Sequence, residues 1–238
     1  MPKPRFANPV FVALDTPDLA KALSLAKSVK PHVGGLKIGL EFITANGPDG
    51  VRRIVEFGLP VFADVKFHDI PNTVAGAARE IAGLGCLLFN VHASGGEAML
   101  RAAKQAAASV NPAVKLIAVT VLTSMSDADL GEVGQQAPAL AQVERLARLA
   151  GRCGLDGTVS SAREIATIRR ACGPDFLVVT PGIRPKSAGL DDQSRVMTPG
   201  QAAGAGADIL VVGRPITAAP DPAAAARAIF AEVSETTA

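Results

Sequence analysis

Eight short apolar runs recur at nearly even spacing along the 238 residues of the chain. They are PVFVALD (9–15), GLKIGL (35–40), PVFADVK (60–66), LLFNVHA (87–93), KLIAVTVL (115–122), GTVSS (157–161), LVVTPG (177–182) and DILVVGR (208–214). Most are rich in Val, Ile, Leu and Phe and apolar on both faces, the pattern of parallel strands covered by helices. Between them lie helix-like segments at 18–29, 49–58, 72–85, 95–109, 138–154, 161–173 and 221–233. Several of these carry apolar residues at three- and four-residue spacing. Thr198-Pro199 reads as an N-cap and first helical position, and the small residues from Gly200 to Ala207 as a short, closely packed helix. Strand followed by helix, eight times, predicts an α/β fold of the (β/α)8 (TIM) barrel class. A doubly wound open sheet is the alternative. The even count and the length favour the barrel, as one domain spanning residues 1–238.

Composition sharpens this picture. The chain is 48% hydrophobic and 19% charged, enough for a large core, and its net charge is only +2. No basic block or aromatic-interleaved Lys/Arg stripe is present, so nucleic acid is not an expected partner. Cys86, Cys153 and Cys172 are scattered and odd in number, which reads as free thiols in a reducing compartment. The N-terminal segment has no apolar core suited to a signal peptide, and no run approaches the ~18 residues of a membrane span. The expectation is a cytoplasmic protein with no membrane partner.

In a (β/α)8 barrel the active site lies at the C-terminal ends of the strands. The polar residues of this chain collect there. Asp15 ends the first run and Lys37 lies in the second. Asp64 and Lys66 end the third, and His92 lies near the end of the fourth. Thr123 and Ser124 follow the fifth, and Ser160 and Ser161 end the sixth. The seventh runs into Pro181, Gly182, Ile183 and Arg184, and the eighth ends in Gly213 and Arg214. Taken singly, each has an ordinary explanation as a cap, a surface charge or a satisfied strand-end histidine.

The stretch VFADVKFHDIPNTV (61–74) is harder to dismiss. Side chains alternate across a strand, so Phe62, Asp64 and Lys66 share one face while Val61, Ala63 and Val65 face the helices. Asp64 and Lys66 then point into the barrel near its mouth, where unpaired charge is costly. Lys37 reaches the same mouth from the adjacent strand, and Asp69 lies just beyond. This exceeds what one structural salt bridge requires. Neighbouring carboxylates favour the ammonium form of Lys66, which makes it a held proton donor rather than a nucleophile. The alternation of charge would be preset, with no reorganisation needed during a reaction.

A second feature is DILVVGRPIT (208–217), where a strand leads to a glycine and a guanidinium, a common phosphate-binding arrangement after strands 7 and 8. The preceding loop, residues 182–200, carries Arg184, Lys186, Gln193 and Arg195 and is long enough to close over an anion. No metal site is expected. The three histidines have no ligand spacing, and Lys37 stands where it would oppose a divalent cation. No nucleotide-binding glycine motif follows a strand, and no cofactor is implied.

These motifs resemble those of the orotidine 5′-phosphate decarboxylase family over essentially the whole chain. The core of the likeness is D-x-K-x-x-D-I-x-x-T, here Asp64, Lys66, Asp69, Ile70 and Thr73, supported by VALD, LKIGLEF, VTVLTS, PGIRP and VVGRPIT. The hexapeptide GTVSSA departs slightly, since Cys is usual where Ser160 stands. The resemblance implies decarboxylation of orotidine 5′-monophosphate to UMP without metal or cofactor. It implies that Lys66 protonates C6 of the pyrimidine, that Asp64 lies beside the leaving carboxylate, and that Lys37 and Asp15 complete the charge array at the ribose. Asp69, Ile70 and Thr73 would belong to the substrate site, with Asp69 and Thr73 contributed across a homodimer interface. Thr123 and Ser124 would contact the pyrimidine, Arg184 and Gln193 would belong to the closing loop with Pro181 beside them, and Gly213 and Arg214 would hold the phosphate. Related barrels that use the same D-x-K-x-x-D core with Mg²⁺ on sugar phosphates, as decarboxylases or aldolases, form the alternative. They resemble this chain at the third strand but carry an acidic residue where Lys37 stands.

Overall fold

A computed structural model of the chain describes residues 5–185 and 197–237. Its centre is a closed barrel of parallel strands in sequential order, β1 (Val10–Ala13), β2 (Gly35–Ile38), β3 (Val61–Phe67), β4 (Leu88–His92), β5 (Lys115–Val119), β6 (Gly157–Val159), β7 (Leu177–Thr180) and β8 (Ile209–Val212), with β8 returning to β1. All eight runs read from the sequence are strands; seven are shorter than their apolar runs, whereas β3 continues to Phe67. The open doubly wound alternative is excluded by the β1–β8 pairing, in which Phe11 lies opposite Val211.

The ring of helices comprises α1 (Leu19–Val29), α2 (Leu40–Val55), α3 (Pro71–Ala82), α4 (Gly96–Val110), α5 (Asp127–Glu132), α6 (Ala139–Arg152), α7 (Ile165–Cys172), α8 (Pro199–Gly204), α9 (Arg214–Thr217) and α10 (Pro222–Thr237). Three differ from the sequence reading. Helix α2 starts at Leu40 rather than near residue 49, because Gly47, at φ 59°, and Pro48 break it and hide its first half. Helices α5 and α9 are too short to show a periodicity. The first nevertheless carries a capping box, in which Ser126 and Asp129 bond each other's backbone N–H. Thr198 caps α8 as the sequence reading expects, accepting from the Gln201 N–H.

The strands separate two apolar layers. Val12, Val61, Ala63, Val65, Phe89 and Ala118 face outward and pack with the helices. Phe11, Phe62, Leu88, Ile117, Val179 and Ile209 face inward and fill the barrel. The split on β3 follows the alternation expected for it. Phe11 fits because β2 begins with glycine. A Cβ on Gly35 would lie 2.5 Å from the Phe11 ring, so only a residue without a side chain leaves room. Phe6 stands edge-on to Phe11 at 5.6 Å and closes the lower end. No disulfide joins the cysteines, and burial pushes the Cys86 thiol up to about 12, which leaves it inert. Among the described residues, no helix is long and apolar enough to cross a membrane.

Truncating Phe11 to Ala opens a void in the one layer that the helices cannot collapse into. The expected loss is about 3–5 kcal/mol of unfolding free energy, readable by urea denaturation.

Candidate active site

At the C-terminal ends of the strands the barrel opens into a cavity of about 500 Å³, a size suited to a small organic ligand. Asp15, Lys37, Asp64 and Lys66 line one side. Thr123, Pro181, Gly182, Ile183, Arg184, Gly213 and Arg214 line the other. Val119, Val121, Val159 and Val211 make the apolar part of the wall. A larger concavity of about 910 Å³ opens at the opposite end, between Phe6, Lys115, Arg148 and Phe176, and holds none of these residues.

The acidic and basic groups form one chain across three strands. Lys37 Nζ donates to Asp15 Oδ1 at 2.9 Å and lies 3.6 Å from Asp64 Oδ2. Lys66 Nζ donates to Asp64 Oδ1 at 2.6 Å. The order is therefore Asp15, Lys37, Asp64, Lys66, alternating in sign. The strands put it there by register, since Lys37 pairs with Ala13 on β1 and with Phe62 on β3. Gly39 lets the chain pass close by. A Cβ there would sit 3.1 Å from both Asp15 Oδ1 and Lys37 Nζ, tight against the ion pair.

Burial alone would raise the Asp64 carboxyl. Lys37 first, then Lys66, and then hydrogen bonds from Lys66 and Asn90 outweigh it and hold the group below its ordinary value of 3.8. Asp64 is thus an ionised carboxylate in a mostly buried place. Lys66 has a backbone of its own kind: its φ of 50° is left-handed, the one such case among described residues with a side chain. That conformation costs about 1–2 kcal/mol. It coincides with a shift of register against β4 between Ala63 and Phe67. Simple alternation therefore describes the backbone of β3 only as far as Val65.

His92 follows at the end of β4, with its ring stacked on that of His68 at 5.4 Å. Burial, and then the nearby His68 and Lys66, push the His92 imidazole below its usual value, while Asp64 opposes them, so His92 is neutral at pH 7. Sequence reasoning passed over Asn90, which is fully buried and bonds both Asp64 and Lys66. The available signal was an amide in the middle of the apolar run LLFNVHA, in phase with the inward-facing Leu88.

The remaining sequence-chosen residues divide into two groups. Arg184 is buried and its backbone N–H bonds to the Met197 carbonyl, which ties the end of β7 to the start of α8. Arg214 is exposed at the first position of α9, with Gly213 as the N-cap. Ser124 is exposed and does not line the cavity, whereas Thr123 does. Ser160 and Ser161, just after β6, are buried and do not line the cavity. Asp69 and Ile70, between β3 and α3, and Thr73, in the first turn of α3, are exposed and also lie outside the cavity. Lys186, Gln193 and Arg195 fall outside the described residues. Among the described residues no group of three or more His, Cys, Asp or Glu could hold a metal ion.

A closed parallel barrel with this charged mouth defines an enzyme of the (β/α)8-barrel class. The chain belongs to the orotidine 5′-phosphate decarboxylase / HUMPS family, whose pattern matches residues 8–229. Orotidine 5′-phosphate decarboxylase of Moorella thermoacetica is 56% identical over 230 residues, covering 94% of this chain and 91% of that one. The enzyme of the same name from Rhodospirillum rubrum is 54% identical over 232 residues, covering 95% and 94%. The crystal structure of orotidine 5′-phosphate decarboxylase from Lactobacillus acidophilus superposes with a TM-score of 0.84 at 38% identity, over 95% of this chain and 99% of that chain.

The electrostatics of Asp64 carry a consequence for stability. A carboxyl with a depressed folded value contributes stability that is full above its unfolded value of 3.8 and is lost as pH falls through the lower folded one. Lys37→Met removes the largest stabilising charge and lets burial raise the Asp64 value. Acid unfolding, followed by circular dichroism, is expected to begin at higher pH in that variant than in the parent.

Proposed function

We propose that this chain, folded as one barrel domain, decarboxylates orotidine 5′-monophosphate to UMP, the last step of de novo pyrimidine biosynthesis, without metal or cofactor. The observation that carries the reading is the unbroken Asp15–Lys37–Asp64–Lys66 alternation inside a cavity of nucleotide size. The names of the relatives support it independently.

The chemistry follows from the arrangement. Cleavage of the bond between C6 and the carboxylate leaves an electron pair in the plane of the pyrimidine, where the ring π system cannot spread it. A fixed cation beside C6 is then the main means of stabilisation, and Lys66 is that cation. The pair at C6 takes a proton from Lys66 Nζ, CO₂ departs, and the resulting amine is reprotonated from solvent. Asp64 holds Lys66 by a 2.6 Å bond and lies where the substrate carboxylate must pass. Lys37 and Asp15 meet the ribose. Gly213 and Arg214 take the phosphate, and Arg184 and Gln193 the closing loop, so that binding energy from the phosphate positions the ring. Thr123, with Pro181 opposite, faces the pyrimidine; Ser124 belongs to the same turn but needs a shift of the loop to reach the base.

The working unit in this proposal is a homodimer. Asp69, Ile70 and Thr73 are exposed here, Ile70 to 67%, and none lines its own protomer's cavity. A role at the mouth therefore requires this segment to serve a second copy. The Mg²⁺-dependent sugar-phosphate chemistry found elsewhere in the suprafamily is disfavoured by the ammonium of Lys37, 2.9 Å from Asp15 and 3.6 Å from Asp64, which competes with a divalent cation for both carboxylates.

Two measurements test the reading. Orotidine 5′-monophosphate should lose its chromophore equally fast with and without EDTA, and Lys66→Ala should abolish the reaction while still binding UMP; normal turnover in that variant refutes the role of Lys66. Mixing inactive Lys66→Ala and Asp69→Ala proteins should restore about a quarter of the parent activity. Half of randomly mixed dimers are hybrids, and each hybrid holds one intact site. Continued inactivity of a demonstrated hybrid would count against the shared site.

A further inference from the structure

Asn90 lies on β4 below the mouth and is fully buried, and no step of the reaction above uses it. Its amide joins the two groups that the reaction needs held still. Asn90 Nδ2 donates to Asp64 Oδ1 at 2.7 Å, and Asn90 Oδ1 accepts the Lys66 backbone N–H, also at 2.7 Å. The same Asp64 oxygen accepts from Lys66 Nζ at 2.6 Å. A closed ring runs from the amide to the Lys66 backbone, along its side chain to Asp64, and back to the amide.

This ring sits where the strand ladder fails. Between Ala63 and Phe67, β3 advances four residues while β4 advances only two, from Phe89 to Val91. Asn90 is the β4 residue opposite that surplus. Lys66 adopts its left-handed φ of 50° within the same interval. A left-handed lysine persists only where surrounding structure holds it, and its N–H needs a partner below the surface. Asn90 meets both needs. Its identity matters, because a neutral amide can accept from an N–H and donate to a carboxylate at once. Aspartate of the same shape can only accept when ionised, and it would set a second negative charge against Asp64. Leucine fills a similar volume and does neither.

We infer that Asn90 is a positioning residue for the decarboxylation: it binds the Lys66 backbone and the Asp64 carboxylate into one rigid unit, which fixes where the ammonium stands. The inference rests on the function proposed above. The groups facing Asp64 are Lys37 from β2, Lys66 from its own strand and Asn90 from β4, with Asp15 behind Lys37 and His92 two residues beyond Asn90.

The test compares Asn90→Leu and Asn90→Asp with the parent enzyme. In both variants kcat for orotidine 5′-monophosphate should fall about 10- to 100-fold, the scale of a lost hydrogen bond to a charged group. KM and UMP affinity should stay near the parent values, because the phosphate end is untouched. The acid limb of the pH–rate profile should move to higher pH in both, and further in the aspartate variant. Carbon-13 NMR of Asp64 in the ligand-free proteins should show the same upward displacement. That readout needs no turnover, so a parent protein that fails to decarboxylate the nucleotide would sink the functional reading while this measurement still decides whether Asn90 holds Asp64. The aspartate variant keeps the native shape and serves if the leucine variant does not fold. Parent-like kcat in either folded variant overturns the inference. So does a loss of rate with the Asp64 titration unmoved, because a general packing defect would produce that result.

Discussion

A carboxylate enclosed in the mouth of an apolar barrel stays ionised only if cations stand within a few ångströms of it. Asp64 is in that position, with Lys66 at 2.6 Å and Lys37 at 3.6 Å. Much of the surrounding architecture serves this contact. β2 must neighbour β3 so that Lys37 arrives beside Asp64, and a side chain at Gly39 would press on the Asp15–Lys37 pair. Removing Asp64 would leave Lys37 and Lys66 facing each other without the carboxylate between them. Asp64 is therefore the group on which the two lysines both depend.

The barrel divides stability from chemistry along its axis. Below the charges, Phe11, Phe62, Leu88 and Ile117 pack the interior as a dry plug. Above them the strands end and the walls become loops. A rigid plug under a charged rim is what preorganisation requires, because the protein dipoles and charges then need not move as charge develops on a ligand. The strained backbone of Lys66 lies at the boundary of the two regions. The register shift beside it re-aims a side chain that ordinary alternation would have left in line with the strand.

The two halves of the cavity also differ in kind. One half is a network of short ion pairs on three adjacent strands. The other is built from Arg184, Gly213 and Arg214 on the segments after β7 and β8. A ligand with a reactive ring at one end and an anion at the other matches this asymmetry. In the proposed reaction the anion end supplies affinity and the ion-pair end supplies rate, so that binding and chemistry can be tuned by different residues.

Much of this was legible in the residues themselves. Eight apolar runs with helical segments between them set a parallel sheet wrapped by helices, since two-faced burial is a local property of each run. Alternation along VFADVKF placed Phe62 and Asp64 inward and Val61, Ala63 and Val65 outward. Helices α5 and α9 and the first half of α2 were not legible, because one or two turns and a Gly47-Pro48 break leave no periodicity to read. The role of Asn90 was hidden for a different reason. A buried amide has meaning only through its partners, and those are 24 and 26 residues away in sequence. Local pattern determined which face of β3 Phe62 and Asp64 take. Only closure of the barrel decided which side chains touch, because strand register and the bulge in β3 are settled by packing among segments far apart in the chain.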